Sequence, residues 1–297
     1  ARPLARSSRL SATMSTPERQ TDARLHELAG LAAHTSEAQL RHRMVLVEFW
    51  APLPGDRVLE VGCGQGDTTV VLANAVGPTG SVVAVDTAPP DYGTPTTLGQ
   101  AHAAIASSPV ENQIDFHTST DLLEHHWEFP VHHFDLVVFG HCSWYMDSPK
   151  LLQKLLARVR PWSKRLGFAE WDPRPENVNQ LPHLMAALVQ AHVRAYWPES
   201  GMGNVSSLVV PEQARSMAER AGWRISKEQT TGSSVALEDG RSWEIAEAID
   251  MAEQMIGLKT SFPESAKEVI TAEARLLSRL AGREPRESLP TYVFLAE

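Results

Sequence analysis

Val58-Leu59-Glu60-Val61-Gly62-Cys63-Gly64-Gln65-Gly66 is the stretch on which the reading of this chain turns. A short run of strand character, ending in an acid and a valine, passes directly into glycines on alternate positions, and the residues from Thr68 to Ala75 then follow a helical pattern. A strand that enters a helix through a nearly side-chain-free turn is the opening of a βαβ unit. The same alternation of short apolar runs and longer helical patterns continues outward from it. Strands are expected over 57–61, 81–85, 113–118, 134–139 and 165–170, and, after a helix over 211–221, over 224–229 and 291–295. The expected fold is therefore α/β: a Rossmann-like, seven-stranded, mostly parallel sheet with helices on both faces.

Upstream, residues 17–50 read as N-terminal helices, with Leu25, Leu28, Leu31 and Ala32 on one face and Leu40, Met44, Val47 and Phe49 on the next, until Pro52 and Pro54 end the pattern. Two segments are longer than connections in a compact α/β domain require. They span about 172–204, with a helical stretch at Leu181–Tyr196, and 239–282, which reads as two amphipathic helices. Both are expected as helical lid insertions over the site or as an oligomer interface. A single domain over 17–297 is expected, preceded by a disordered extension over 1–16. The first thirteen residues hold Arg2, Arg6 and Arg9, several serines and no acid, which fits a transit peptide or an extension upstream of Met14.

Bulk properties narrow the function classes. Lys and Arg number 27 against 36 Asp and Glu, a formal charge of -9, which disfavours the phosphate-neutralising surface of a nucleic-acid binder. No run approaches the roughly 20 apolar residues of a bilayer span, so a soluble, cytoplasmic protein acting on a small molecule is expected. The two cysteines, Cys63 and Cys142, sit in loop-like segments and are expected as reduced thiols. His125, His126, His132 and His133 lack a neighbouring cysteine and a helical His-x-x-x-His pair, so no metal site is expected there.

A second anchor follows the glycines by about 20 residues, where Ser81-Val82-Val83-Ala84-Val85 ends in Asp86. That is the register at which a carboxylate reaches ribose hydroxyls in such folds. Further on come the runs 114–122, with Thr120 and Asp121 at its close, and Phe134-Asp135-Leu136-Val137-Val138-Phe139-Gly140, followed by His141, Cys142, Trp144 and Tyr145. Together these runs resemble the class I S-adenosylmethionine (SAM)-dependent methyltransferases. Arg160-Pro161-Trp162, Ala169-Glu170-Trp171 and residues 208–223 look like a group of microbial and fungal small-molecule methyltransferases, and the likeness extends over nearly the whole chain beyond about residue 40.

The resemblance implies SAM as cofactor, leaving as S-adenosylhomocysteine, and an EC 2.1.1 activity. It implies that Glu60, Gly62, Cys63, Gly64 and Gly66 line the methionine end, that Asp86 holds the ribose, and that Thr87 flanks the adenine. The acid that many family members place after the third strand falls at Thr120 here, so adenine contact passes to Asp121. Gly140 and His141 face the reaction centre. His141 is the candidate general base, Tyr145 orients the acceptor, and Trp144, Tyr145 and Trp171 line the acceptor pocket. Glu170 and Asp172 are read as solvated or paired carboxylates. Strand four ends in Gly140-His141-Cys142 rather than in carboxylates, so metal-independent chemistry is expected.

Two rivals stay open. A nicotinamide dinucleotide would also use a glycine turn, but its fingerprint wants a third glycine where this chain has Asp67, whose charge repels a pyrophosphate. A methyltransferase-like scaffold can also bind SAM without methylating, as a cyclase or rearrangement catalyst or without catalysis, because fold alone does not fix chemistry. The helices near the two ends fit either a homodimer or helices folded back on their own domain.

Overall fold

Alternate residues of each strand face opposite ways, and the central strands of this sheet fill both faces with apolar side chains, so the middle of the sheet is covered on both sides. The computed structural model describes residues 16–32, 34–198, 203–232, 236–257 and 263–297. The expected extension over 1–16 lies, but for Thr16, outside them. Among the described residues the strands are β1 (Arg57–Val61), β2 (Ser81–Val85), β3 (Ile114–His117), β4 (Leu136–Gly140), β5 (Leu166–Trp171), β6 (Ile225–Thr231) and β7 (Thr291–Ala296). They form one seven-stranded sheet in the order β3-β2-β1-β4-β5-β7-β6. β1 to β5 pair in parallel, and β7 runs antiparallel to both β5 and β6. The mostly parallel Rossmann-like sheet read from the sequence is the one observed.

The helices are α1 (Thr16–Leu31), α2 (Glu37–Trp50), α3 (Asp67–Val76), α4 (Leu98–Ile105), α5 (Pro149–Val159), α6 (Leu181–Tyr196), α7 (Pro211–Arg220), α8 (Glu244–Gly257) and α9 (Glu264–Ala281). On one face Val58, Val82, Ala84, Leu136 and Val138 pack with Leu28, Leu40, Met44 and Val47 of α1 and α2 and with Val70 and Leu72 of α3. On the other, Leu59, Val61, Val137, Phe139 and Phe168 pack with Leu152 and Leu156 of α5 and Met217 of α7. A third cluster joins the inserted segments to each other: Val189 and Val193 of α6, Met251 and Met255 of α8, and Ile270 and Leu277 of α9. The apolar faces of the inserted helices are thus partnered within the chain.

Two contacts bring α2 onto the sheet beside the site. The indole of Trp50 lies over Gly167, where a Cβ would fall 2.8 Å from Trp50 Cγ, and its edge lies 3.4 Å from the Cβ position of Gly140. Arg165 then holds the end of α2, with Nη1 donating to Ala51 O at 3.1 Å and Nη2 to Asp56 Oδ2 at 2.7 Å. A cation beside the last carbonyls of a helix is favourably placed.

Candidate functional site

The turn after β1 has positive φ at Gly62 (74°), Gly64 (53°) and Gly66 (93°), but the glycines serve different ends. A Cβ on Gly62 would stand 2.5 Å from Cys142 Cβ, so this position is bare because the turns after β1 and β4 touch there. A Cβ on Gly64 would meet nothing within 4 Å. The room that a ligand needs therefore opens at Gly64, while Gly62 is fixed by packing. Gly66 begins α3 under Ile105 and Phe116.

Asp86 crosses from the neighbouring strand to this turn. Its Oδ2 accepts from Gly64 N–H at 2.8 Å and its Oδ1 from Ala88 N–H at 2.8 Å. Each carboxylate oxygen has two lone pairs, so both keep capacity for a hydroxyl donor. Gly62 N–H and Cys63 N–H both donate to Val85 O, at 2.9 and 3.1 Å, and the Gln65 amide donates to Thr96 O. The third turn joins them through Ser119 N–H to Ala88 O and Thr120 N–H to Asp86 O, both 2.9 Å. His102 of α4 supports the arrangement, with Nε2 2.7 Å from Gly64 O and its ring stacked on Phe116. Three successive strand ends are thus bound into one rigid rim. Thr120 is buried in that rim, its hydroxyl donating to Thr118 O. Thr87 and Asp121 are exposed, and Asp121 Oδ1 accepts from Leu123 N–H, which fixes the turn that follows.

Beneath the rim lies a buried acid with a buried cation for company. Glu60 is 2% exposed, and its Oε2 accepts from Thr69 Oγ1 at 2.6 Å. Burial pushes its carboxyl up to about 8, against the opposing pull of the Thr69 hydrogen bond and the Arg43 charge. Arg43 of α2 is itself buried, and its Nε and Nη1 have no hydrogen-bond partner among the described residues. A desolvated guanidinium with open donors calls for an anion.

Next to Arg43 stands a group of rings. His141 follows β4 with φ 54°, a backbone conformation uncommon for a branched or bulky side chain and frequent at functional sites. Its Nε2 lies 2.8 Å from Nε2 of His42, on α2. Trp171 stacks on His42 with centroids 5.5 Å apart and lies 4.3 Å from the ring of His141. Burial lowers both histidines well below their ordinary 6.5, and Arg43 adds to the effect, so both are neutral at pH 7. Glu170, at the end of β5, lies 3.4 Å from His141 Nδ1 through Oε1, without hydrogen-bond geometry. It is not solvated: Oε2 accepts from Ser143 N–H, Ser143 Oγ and Trp144 N–H, and Oε1 from Trp171 N–H. Those amides hold the turn after β4 in place. Asp172 is likewise paired, with Arg174.

The remaining expected residues fall around this centre. Cys63 and Cys142 are buried free thiols, pushed up by burial. Trp144 is packed in the core at 1% exposure and donates from Nε1 to Val209 O, so it acts on the site through the backbone of the turn. Tyr145 is 45% exposed. Trp171 touches both site histidines and, edge-on, His183 of α6, whose Nε2 lies 2.8 Å from Glu244 Oε2. Among the described residues no group of three or more His, Cys, Asp or Glu is arranged to hold a metal ion, and no helix is long and apolar enough to cross a membrane. Sequence reasoning missed His42 and Arg43. The signal was present: Arg43 interrupts the apolar stripe of Leu40, Met44 and Val47, where a cation has no reason to be unless something pairs with it.

Comparison with known proteins bears on this site. Residues 58–165 match the family model described as a methyltransferase domain. "Methyltransferase phomM" of Diaporthe leptostromiformis is 30% identical over 160 residues, covering 46% of this chain and 41% of its own length. The 2-phytyl-1,4-naphtoquinone methyltransferase of Synechococcus elongatus is 32% identical over 127 residues, covering 41% of this chain and 51% of its own. The chain thus spans about half the length of the curated relatives it matches. A solved structure, of a cyclopropane-fatty-acyl-phospholipid synthase-like protein from Lactobacillus casei, is similar with a TM-score of 0.79 at 29% identity, over 93% of this chain and 99% of that one.

Proposed function

We propose, from the premise that this chain carries a class I methyltransferase domain, that it moves a methyl group from SAM to an oxygen, nitrogen or carbon nucleophile of a small molecule without a metal ion. The observation that carries the reading is the Asp86 carboxylate, held by Gly64 N–H and Ala88 N–H beside the open space at Gly64. SAM joins a ribose to a zwitterionic amino acid, and the residues present suit both ends. Asp86 has lone pairs for the ribose hydroxyls, and Arg43 has unpaired donors near Glu60 for the amino-acid end. The turn residues Cys63 and Gly64 lie between them, with Thr87, Thr120 and Asp121 on the adenine side.

When bound, SAM supplies an electrophilic methyl on a sulfonium. The chain's own task is to align the acceptor behind that methyl, keep water out and, for a hydroxyl or protonated amine, take up one proton. His141 is neutral at pH 7 and so is available as base. Turnover on such an acceptor is accordingly expected to hold through neutral pH and to fall as acid protonates the histidine, which a pH–rate profile checks. Trp171, with Trp144 behind the turn and Tyr145 at its rim, suits a planar or apolar acceptor. The quinone ring named for the Synechococcus relative is of that class. The acidic surface supports a small molecule over a nucleic acid. The coverage of the α1, α8 and α9 apolar faces within the chain supports helices folded back on their own domain, which light scattering of the purified protein checks against a dimer.

Calorimetry with S-adenosylhomocysteine tests the reading. Uptake is expected, with Asp86→Ala weakening it roughly 30–100-fold and NAD giving no heat. Correctly folded protein that takes up neither SAM nor its demethylated product ends the proposal. SAM uptake with an acceptor product lacking the added carbon points to the non-methylating alternative. Loss of activity in chelator, restored by magnesium, overturns the metal-independent part.

A further inference from the structure

The contact between His42 and His141 constrains where protons sit. Two imidazole nitrogens 2.8 Å apart need one hydrogen between them, because two N–H groups collide and two lone pairs repel. Which ring owns that hydrogen is set by the far side of His141, where Nδ1 lies 3.4 Å from Glu170 Oε1. That oxygen is an acceptor, already engaged by Trp171 N–H, while Oε2 takes three further donors. An N–H on Nδ1 is attracted to it and a lone pair is repelled. His141 is therefore protonated at Nδ1 and bare at Nε2, and the bridging hydrogen belongs to His42 Nε2. A second acceptor lies beside that hydrogen, Thr291 Oγ1 of β7, 3.4 Å from His42 Nε2. Among the described residues the other charged or titratable groups that act on the pair are Arg43 on α2 and His183 on α6, and both disfavour a second proton on it.

We propose that His42 is a positioning residue that guards the base: its Nε2–H covers the Nε2 lone pair of His141 until an acceptor arrives, and then swings to Thr291 Oγ1. The purpose of this device rests on the methyl-transfer reading, but its geometry does not. In the step it serves, the acceptor's O–H or N–H bond breaks and its proton bonds to the uncovered His141 Nε2. The electron pair left on the acceptor forms the new bond to the methyl carbon, and the sulfonium C–S bond breaks with its pair going to sulfur. Covering the lone pair between turnovers keeps water from occupying it, and Trp171, stacked on His42 with ring planes 9° apart, restrains the tilt of that ring.

Nitrogen-15 NMR of histidine-labelled protein at neutral pH tests this directly. The expected wild-type spectrum has His141 protonated at Nδ1, His42 protonated at Nε2, and a His141 Nε2 resonance shifted as a hydrogen-bonded lone pair. His42→Phe keeps a ring on Trp171 and should move His141 Nε2 to the position of a free lone pair. Thr291→Val removes the alternative acceptor and should leave the wild-type pattern unchanged. His141 protonated at Nε2, or a His141 Nε2 resonance indifferent to His42→Phe, overturns the proposal, and so does a Thr291→Val spectrum in which the lone pair is released. Calorimetry with S-adenosylhomocysteine on the same samples separates the two claims: uptake with the wrong tautomers sinks the guard alone, and no uptake sinks the methyl-transfer reading whatever the tautomers.

Discussion

Replacing Glu60 with glutamine should make the protein progressively more stable than wild type as pH rises. The unfolded chain holds a proton on this carboxyl only up to its ordinary 4.5, whereas burial keeps it protonated in the fold up to about 8. Between those values folding takes up a proton, so wild-type stability falls as pH climbs through the window and levels off above it. At about 1.4 kcal/mol per pH unit, the whole span amounts to a loss on the order of 5 kcal/mol, a large part of what holds a domain together. Glutamine has no such proton, and its carbonyl can go on accepting from Thr69 Oγ1, the 2.6 Å partner of Glu60. Urea unfolding of both proteins, in steps from about pH 5 to about pH 9 without cofactor, reads the effect as a widening gap between their stabilities. A gap that stays level across the range would refute the reasoning. It would mean that Glu60 is already ionised in the fold, with the Arg43 guanidinium as its counter-ion.

Other perturbations separate packing from ligand binding. Gly62→Ala sets a Cβ 2.5 Å from Cys142 Cβ at φ 74° and should cost about 2–4 kcal/mol of stability by denaturant unfolding. Gly64→Ala, with open space and φ 53°, should cost only about 1–2 kcal/mol yet weaken S-adenosylhomocysteine by calorimetry at least roughly tenfold; unchanged affinity would remove Gly64 from the cradle. Arg43→Met should leave the melting temperature level or raised, since it removes a buried charge with open donors, while weakening the same ligand by roughly tenfold or more; a lower melting point with full affinity would make Arg43 a structural residue. Glu170→Gln turns one oxygen into a donor facing backbone N–H groups and should lower unfolding stability by about 2–4 kcal/mol, in contrast to an exposed acid such as Asp121.

What the sequence made legible follows from the range of the interactions involved. The glycine turn, Asp86 and the strands are local in pattern: a period of two, a bare turn and an acid at a set distance can each be read within a few residues, and all seven strands stand where their patterns put them. The position of β7 could not be read that way. The last strand of the chain slips antiparallel between β5 and β6, a pairing set by contacts far apart in sequence, and it brings Thr291 against His42 from 249 residues away. The same distance hid the histidine pair, whose members are 99 residues apart and meet because Gly140 and Gly167 let Trp50 seat α2 on the sheet. Yet the buried charges did leave a trace. Glu60 between Leu59 and Val61 and Glu170 between Ala169 and Trp171 each put an ionisable group into an otherwise apolar stretch, and Arg43 puts one on the apolar helix face of Leu40, Met44 and Val47. Desolvating such a group is costly unless a partner or a ligand answers it. Glu170 is answered by the amides of the turn after β4 and Glu60 by Thr69, whereas two of the Arg43 donors have no partner among the described residues. That imbalance is what the proposed binding of the amino-acid end of SAM beside Arg43 answers.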